Sequence, residues 1–360
     1  MKYRNVAIIP TQTLTGAQTL TIPINLKDII TRLTLFWSVT KVKIGMSSYP
    51  HRDIRKIELV DGSDVLFSMD GGQAAALNIY DRKAHTYWNG VSINANAIQS
   101  WYSIDFGRWL YDEVLALDPS RFHNLQLKVT VNPALCEVGC ASGDISLYAD
   151  VFDEQIPTPS GFLMSKEHYS SVTPDTGAYT YIDLPTDFPI RHMLIQGYRT
   201  AKEPWFQVAE ARLDEENLKR IPFDWVLERY HLLKRTIETP IQEQISSQSD
   251  DTENNPLYTT PTNYWNIFNG QSLAAHATMW YDVASPGGVF YPRISAGTTY
   301  SAIVKGWLPN HCFSFPFGYQ PDISDWYDVT KLGHVGLRLR AGTHAADSEQ
   351  AVVLQQNRGY

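Results

Sequence analysis

Residues 104–133 read IDFGRWLYDEVLALDPSRFHNLQLKVTVNP, and the order of features in them decides the fold. A Phe-Gly pair, Phe106-Gly107, opens the stretch, and a loop with the turn signal Asp118-Pro119 follows. Leu125 to Val131 then place an apolar residue at every second position, the pattern of a strand with one buried face. Toward the other end of the chain the plan returns: Phe317-Gly318, a loop with Pro321-Asp322, and the alternating run Val335-Gly336-Leu337-Arg338-Leu339. The spacings agree, 18 residues from Gly107 to Leu125 and 19 from Gly318 to Leu337. One Phe-Gly pair says little, but pair, loop and strand in one order and spacing, twice, indicate a duplicated domain.

A second matched pair lies upstream of each. Ile57 to Val60, the turn Asp61-Gly62 and Val65 to Phe67 read as a hairpin. Asp70 follows as a helix N-cap with Gln73 three residues on, which predicts a helix over Gly71 to Arg82. In the second half, Val208 to Leu213, the polar turn Asp214 to Asn217 and Leu218 to Phe223 form the matching hairpin. Asp224 is the expected cap of a second helix running through Trp225, Leu227, Tyr230, His231 and Arg235. Val226, Leu227, Tyr230 and Leu233 recur at helical spacing and read as core contacts.

Around these pairs the first half supplies further short strands: Thr19 to Asn25, Thr31 to Val39, Val42 to Met46, Ile98 to Asp105 and Ile145 to Phe152. With the hairpin and Leu125 to Val131 this makes about eight, the number in a jelly roll. The second half restarts with Tyr179 to Ile182 and Ile190 to Gly197 and ends with Ala351 to Leu354. Between the halves, Ile156-Pro157-Thr158-Pro159-Ser160-Gly161 reads as a linker, because its prolines keep it extended and out of a sheet. The expected organisation is all-β: a first eight-stranded roll over 1–156, a linker at 157–161, and a second roll over 162–360, each roll with a short flanking helix. From helix cap to Phe-Gly pair the second half is 57 residues longer, which places an insertion at 236–292. That insertion has no Lys or Arg and carries six acidic residues, so it holds most of the net charge of −8. Its opening, SSQSDDTENNP, has a loop composition.

Composition narrows the function. At 360 residues, with 43% hydrophobic and 19% charged residues, the chain is folded and long enough for two domains. Aromatics reach 12%, including 10 Trp and 20 Tyr, which suits strands and large interfaces. A net charge of −8 without a Lys/Arg cluster argues against sequence-specific nucleic-acid binding. Three cysteines are too few for a disulfide framework and point to a reducing compartment. The N-terminal MKYRNVAIIPTQ has a short apolar run cut by Pro10 and does not read as a signal peptide. No apolar run approaches the length of a membrane span.

Chemistry-bearing constellations are weak. Cys136 and Cys140 with His311-Cys312 fit the loose end of zinc spacings, but a second close pair is missing, and free thiols near a turn are the plainer reading. Asp61-Gly62-Ser63-Asp64 offers oxygen ligands but is too short for a calcium loop and reads as the hairpin turn. The sequence holds no His-Glu-x-x-His, Gly-x-Ser-x-Gly or phosphate-cradling Gly loop. Two carboxylates distant in sequence can still form a glycosidase pair, and nothing singles one out. No catalytic, cofactor-binding or metal-binding residue is assigned, and no cofactor is expected.

The chain resembles the double jelly-roll major capsid proteins, the lineage of tailless icosahedral membrane-containing phages and adenoviruses. The likeness lies in Ile57 to Asp70 with its helix, in residues 104–133, and in the tail LRLRAGTHAADSEQAVVLQQNRGY from Leu337 to Tyr360. It covers most of the chain, is weakest in the insertion, and looks closest to capsid proteins of small membrane-containing bacteriophages. The resemblance implies a homotrimer whose six rolls make a pseudo-hexagonal capsomer tiling an icosahedral shell. It also implies rolls standing upright with loop insertions as outer towers, and no catalytic residues. Implied partners are neighbouring capsomers, penton and minor capsid proteins, and an internal viral membrane on the inner face. The implied location is the virion, after synthesis in the host cytoplasm. The competing class is a carbohydrate-binding or glycoside-cleaving β-sandwich, which predicts a small oligomer, sugar affinity and a cleft with paired carboxylates.

Overall fold

Alternating hydrophobicity builds the first half. In a computed structural model, which describes all residues except 41, 43–46, 84–89, 93–96, 137–139, 155, 249–255, 272–286, 291–298 and 345–346, the elements run in chain order as follows. The first half contains β1 (Tyr3–Thr15), β2 (Gln18–Pro23), β3 (Ile30–Thr40), β4 (Ile54–Asp61), β5 (Asp64–Met69), α1 (Gly71–Arg82), β6 (Gly90–Ser92), β7 (Ala97–Asp105), β8 (Leu125–Val131) and β9 (Ser142–Phe152). The second half contains β10 (Gly161–Val172), β11 (Tyr179–Asp183), β12 (Ile190–Tyr198), β13 (Val208–Glu215), β14 (Arg220–Val226), α2 (Leu227–Lys234), β15 (Ile241–Gln248), β16 (Leu257–Tyr258), β17 (Pro261–Gln271), β18 (Val289–Phe290), β19 (Thr299–Pro309), β20 (Cys312–Pro316), β21 (Val335–Ala341) and β22 (Glu349–Gly359).

Two four-stranded layers face each other in each half, in the same spatial order. The first half has β1-β9-β3-β7 against β2-β8-β4-β5; the second has β10-β22-β12-β20 against β11-β21-β13-β14. Each is an eight-stranded jelly roll, and in each the short helix follows the fifth strand. In the first roll Leu33, Leu35 and Trp37 of β3 point inward, where they meet Ile57, Leu59, Leu127 and Val129 from the opposite layer. In the second, Met193 and Ile195 meet Ala211, Leu213, Leu337 and Leu339. The rolls join where β5 and β10 pair in parallel, Phe67 with Ser165 and Ser68 with Lys166, merging one layer of each into an eight-stranded sheet.

Between α2 and β20 an additional sheet is built in the order β17-β19-β15-β6. Its strand β19 runs to Pro309, so the extra structure continues past residue 292. Its last strand, β6, comes from the first half and pairs in parallel with β15 at Ile245 to Ser247. A small core of Tyr49, Ile98, Ile245, Leu257, Tyr258 and Val304 ties this sheet to the first roll.

Several local expectations change. β1 forms despite Pro10, because that proline falls at an irregularity between Ile9 and Gln12 on a sheet edge, where a missing N–H is tolerated. Asp224 caps no helix: it lies in β14 opposite Arg212, and α2 starts three residues later behind Val226 with no side-chain cap. Of the apolar stripe on that helix, Leu227 and Tyr230 are buried, but Val226 and Leu233 are exposed. Both Asp322 and Asp328 cap a three-residue 3-10 turn, but Asp328 is the structural counterpart of Asp118: each stands seven residues ahead of its strand, β21 from Val335 or β8 from Leu125. Of the strand expected at Val42 to Met46, residues 43–46 lie outside the described residues, and Val42 is in a bend.

Candidate assembly surfaces

The junction between the rolls is organised by α1. Its N-terminus is closed by a reciprocal box, the Gln73 N–H donating to Asp70 Oδ1 at 2.7 Å and the Asp70 N–H to Gln73 Oε1 at 3.1 Å. Ala74, Ala75 and Ala76 let the helix sit deep between the rolls. One face serves its own roll: Asn78 donates to the Ser103 carbonyl (2.9 Å) and accepts from the Ser103 N–H (3.0 Å), satisfying the outer edge of β7.

The opposite face serves the second roll. Gln73 donates to Glu167 (2.6 Å) and Gln196 (3.1 Å), and the Tyr80 hydroxyl donates to the Cys312 carbonyl (2.8 Å). Asp81 receives Arg191 Nη1 (2.9 Å) and Gln355 Nε2 (2.9 Å), with His192 Nδ1 at 3.3 Å. Burial pushes the Asp81 carboxyl up, but Arg191 and His192 together outweigh it and hold the carboxyl well below the usual range. The outward residues Met164, Leu194, Cys312 and Val353 therefore join the first roll's core, while Met193, Ile195, Phe313 and Leu354 fill their own. That layer is covered on both faces, and β12 is buried from end to end. At the lower rim, Phe162 of β10 fills the groove between Phe106 (ring centroids 6.4 Å apart) and Phe122 (6.0 Å).

Among the described residues, the matching surfaces elsewhere carry exposed apolar side chains. The outer face of β1-β9-β3-β7 carries Phe36, 39% exposed, with Trp101 at 5.8 Å and Tyr148 at 5.6 Å. Phe36 and Tyr148 border a hollow of about 590 Å3 that also takes in Arg32, Gln99 and Asp144. On α2, Leu232 and Leu233 are 53% and 50% exposed, and Ile221, Trp225 and Val226 are exposed on β14 beside them. A groove of about 640 Å3 runs between β14 and the loop after β20, past Phe223, Phe317, Trp326 and Leu332.

The carboxylates in that groove already have structural work. Glu215 accepts from Tyr327 (2.7 Å) and Arg220 (3.0 Å), Asp325 accepts the Tyr319 N–H (2.6 Å), and Asp328 caps its turn. The hollow on the first roll has Asp144 as its lining carboxylate. Neither concavity presents the facing pair of unengaged acids that glycoside cleavage uses. Cys136, Cys140 and Cys312 are buried and free of disulfides, and burial pushes the Cys312 thiol well up. Among the described residues no group of three or more His, Cys, Asp or Glu is placed to hold a metal. Asp61 instead accepts the N–H groups of His123 and Asn124, and Asp64 pairs with Arg358, as befits a turn.

No protein-family model and no curated protein matches the sequence. Solved structures similar over nearly the whole chain include the major capsid protein of Sulfolobus turreted icosahedral virus (STIV), with a TM-score of 0.59 at 10% identity over 99% of this chain and 96% of that one. The major capsid protein P2 of bacteriophage PM2 gives 0.54 at 9% identity, over 99% and 98%. VP54 of PBCV-1 gives 0.56 at 10% identity, over 99% and 93%.

Proposed function

We propose that this chain, whose fold is the double jelly roll of those viral major capsid proteins, is itself a major capsid protein: a structural, non-enzymatic subunit of an icosahedral shell. The observation that carries the reading is the extent of the likeness, because both rolls, their junction and the additional sheet fall within one match covering 99% of the chain. A single sandwich domain of another class would share one roll and leave the other unmatched.

In this reading the first roll spans 1–156, the linker 157–161 and the second roll 162–360. Three copies form a capsomer of six rolls, which meets neighbouring capsomers, penton and minor capsid proteins, and an internal viral membrane beneath. The protein resides in the virion after synthesis in the host cytoplasm. The acidic insertion at 236–292 builds the outer tower, because acidic residues facing anionic lipid or nucleic acid would be repelled, while at the outer surface they aid solubility. Analytical ultracentrifugation of the purified chain at micromolar concentration tests the assembly: a trimer is expected. A stable monomer that binds immobilised glycans would overturn the reading in favour of a carbohydrate-binding sandwich.

A further inference from the structure

We propose that the turn between β19 and β20, with His311 in it and His51 beside it, is an acid-sensitive latch that holds the additional sheet β17-β19-β15-β6 to the two rolls. Such a latch belongs to a single chain and does not depend on the capsid reading.

The turn lies where the additional sheet, both rolls and α1 converge. Asn310 and His311 are buried, at 3% and 0% exposure. The Asn310 N–H donates to the Thr260 carbonyl just before β17 (2.9 Å), and the Asn310 carbonyl accepts from Gln196 of β12 (3.2 Å). The Gly197 N–H donates to the His311 carbonyl (3.1 Å), and the Asn310 side chain donates to the Gly72 carbonyl of α1 (3.1 Å). Tyr49 enters from the first roll. Its hydroxyl donates to the Gly287 carbonyl (2.5 Å), and its ring centroid lies 5.3 Å from those of His51 and His311 alike. Tyr198 stands 5.0 Å from His311, ring centroid to centroid.

This geometry tolerates the two imidazoles only when they are neutral. Both ring nitrogens of His311 are buried without a hydrogen-bond partner, so a charge there would be desolvated with nothing to offset it. The ring of His51 lies against the first turn of α1, where a Cβ on Gly72 would stand 2.9 Å from its Nε2. That is the positive end of the helix, which disfavours a second positive charge. The turn is also strained: Leu308 and His311 take φ values of +58° and +65°, which suit neither residue. Arg52, beside His51 in the chain and 4.3 Å over the Tyr198 ring, adds positive charge near both imidazoles. Arg199 and Lys202, on the loop after β12, turn backbone groups toward His311. The acidic groups packed around the latch are otherwise engaged. Glu349 of β22 lies 3.5 Å from Arg52, Glu167 of β10 accepts from Gln73 (2.6 Å), Glu243 of β15 accepts the Thr260 N–H (2.7 Å), and Asp53 accepts from Trp37 and the Cys136 N–H. Asp70, raised to about 6 by burial, loses its charge over the range in which an exposed imidazole gains one. A state in which the turn swings out and hydrates its rings therefore takes up protons that the closed state refuses, and acid favours it. Acidification then frees the additional sheet while the two rolls stay closed.

Hydrogen–deuterium exchange of the full chain at pH 7 and pH 5, with each rate divided by the intrinsic rate at that pH, tests the latch through the Asn310 and Gly197 amides. A closed-state value of about 3 for His311 against about 6.5 when open predicts that His311 alone lowers their protection about 25-fold between pH 7 and 5. The amides of β8 are expected to change less than about threefold, as a part of the fold that does not open locally. In His311→Gln the fall with pH is expected to shrink by about the same 25-fold factor, whereas a purely structural role would lower protection equally at both pH values. His311→Asn, whose side chain suits a left-handed backbone, replaces it if the glutamine variant does not fold. Protection that is flat from pH 7 to 5, a fall unchanged in the variants, or β8 amides opening in step with the turn would each overturn the latch, and none of these results bears on whether the chain builds a capsid.

Discussion

Asp81 offers the sharpest test of what holds the two rolls together. Asp81→Asn keeps the size of the side chain but removes the charge facing Arg191, and both groups are nearly inaccessible, at 7% and 5% exposure. The guanidinium keeps its contact with Gln355 and its position over the Trp326 ring, yet neither neutralises it. Two unit charges about 4 Å apart interact by roughly 4 kcal/mol at an effective dielectric of about 20. Losing one partner of a buried pair costs about 3–5 kcal/mol in measured cases, because the other charge stays desolvated. At about 2 cal/mol/K of unfolding entropy per residue, that is a drop in melting temperature on the order of 4–7 °C for 360 residues. Calorimetry at fixed protein concentration, with urea unfolding followed by tryptophan fluorescence, reads both quantities. The double variant Asp81→Leu, Arg191→Met is expected to recover most of the loss, since packed apolar groups replace a buried pair nearly neutrally. A single-variant loss below about 1 kcal/mol, or a double variant no better than the single, would refute the reasoning and move the weight of the junction elsewhere.

Three further outcomes are expected. Gly318→Ala would place a methyl group against the Asp325 carbonyl at a φ of +65°, and Gly107→Ala would meet the Leu115 carbonyl and Asp112 Cβ; each should cost more than about 2 kcal/mol in urea unfolding, with Gly177→Ala, in open space at a φ of +81°, costing only the backbone strain. His311 is pushed down to about 3 and His231 to about 4, mainly by burial, and His51 is lowered by burial with help from Arg52. These rings are neutral when folded, so their contribution is present above the unfolded value near 6.5 and is lost below it, by about 1.4 kcal/mol per pH unit for each ring. Asp70, raised to about 6 by burial, works the other way from about pH 6 downward. A net fall in melting temperature between pH 6.5 and 5 is therefore expected, flattened by His311→Gln; a flat wild-type profile would contradict it. On the capsid reading, limited proteolysis of intact particles is expected to cut first around Gln248 to Asn255, of which 249–255 lie outside the described residues, and protection there until disassembly would place the acidic segment inward or at a seam between capsomers and overturn the tower assignment.

How much of this was legible in the sequence depends on how many faces of an element are covered. β8 packs one face and leaves the other half-covered, and its alternation is visible at a glance. β12 and the middle of β22 are buried on both faces, so their alternation is lost and only apolar runs remain. β10 changes character along its length, five buried residues followed by an exposed, polar half, and reads as neither pattern. α1 was legible to the residue because Asp70 has Gln73 three positions on, completing a capping box. Asp224 has Leu227 at that position, so the box was incomplete, and the signal against a cap there was present in the sequence. The stripe on α2 reads as core because periodicity shows that one face is apolar and carries no information about how much of it the rest of the chain covers. The aromatic patch on the first roll was illegible in the sequence, because Phe36, Trp101 and Tyr148 are far apart in the chain and become one patch only when β3, β7 and β9 lie side by side.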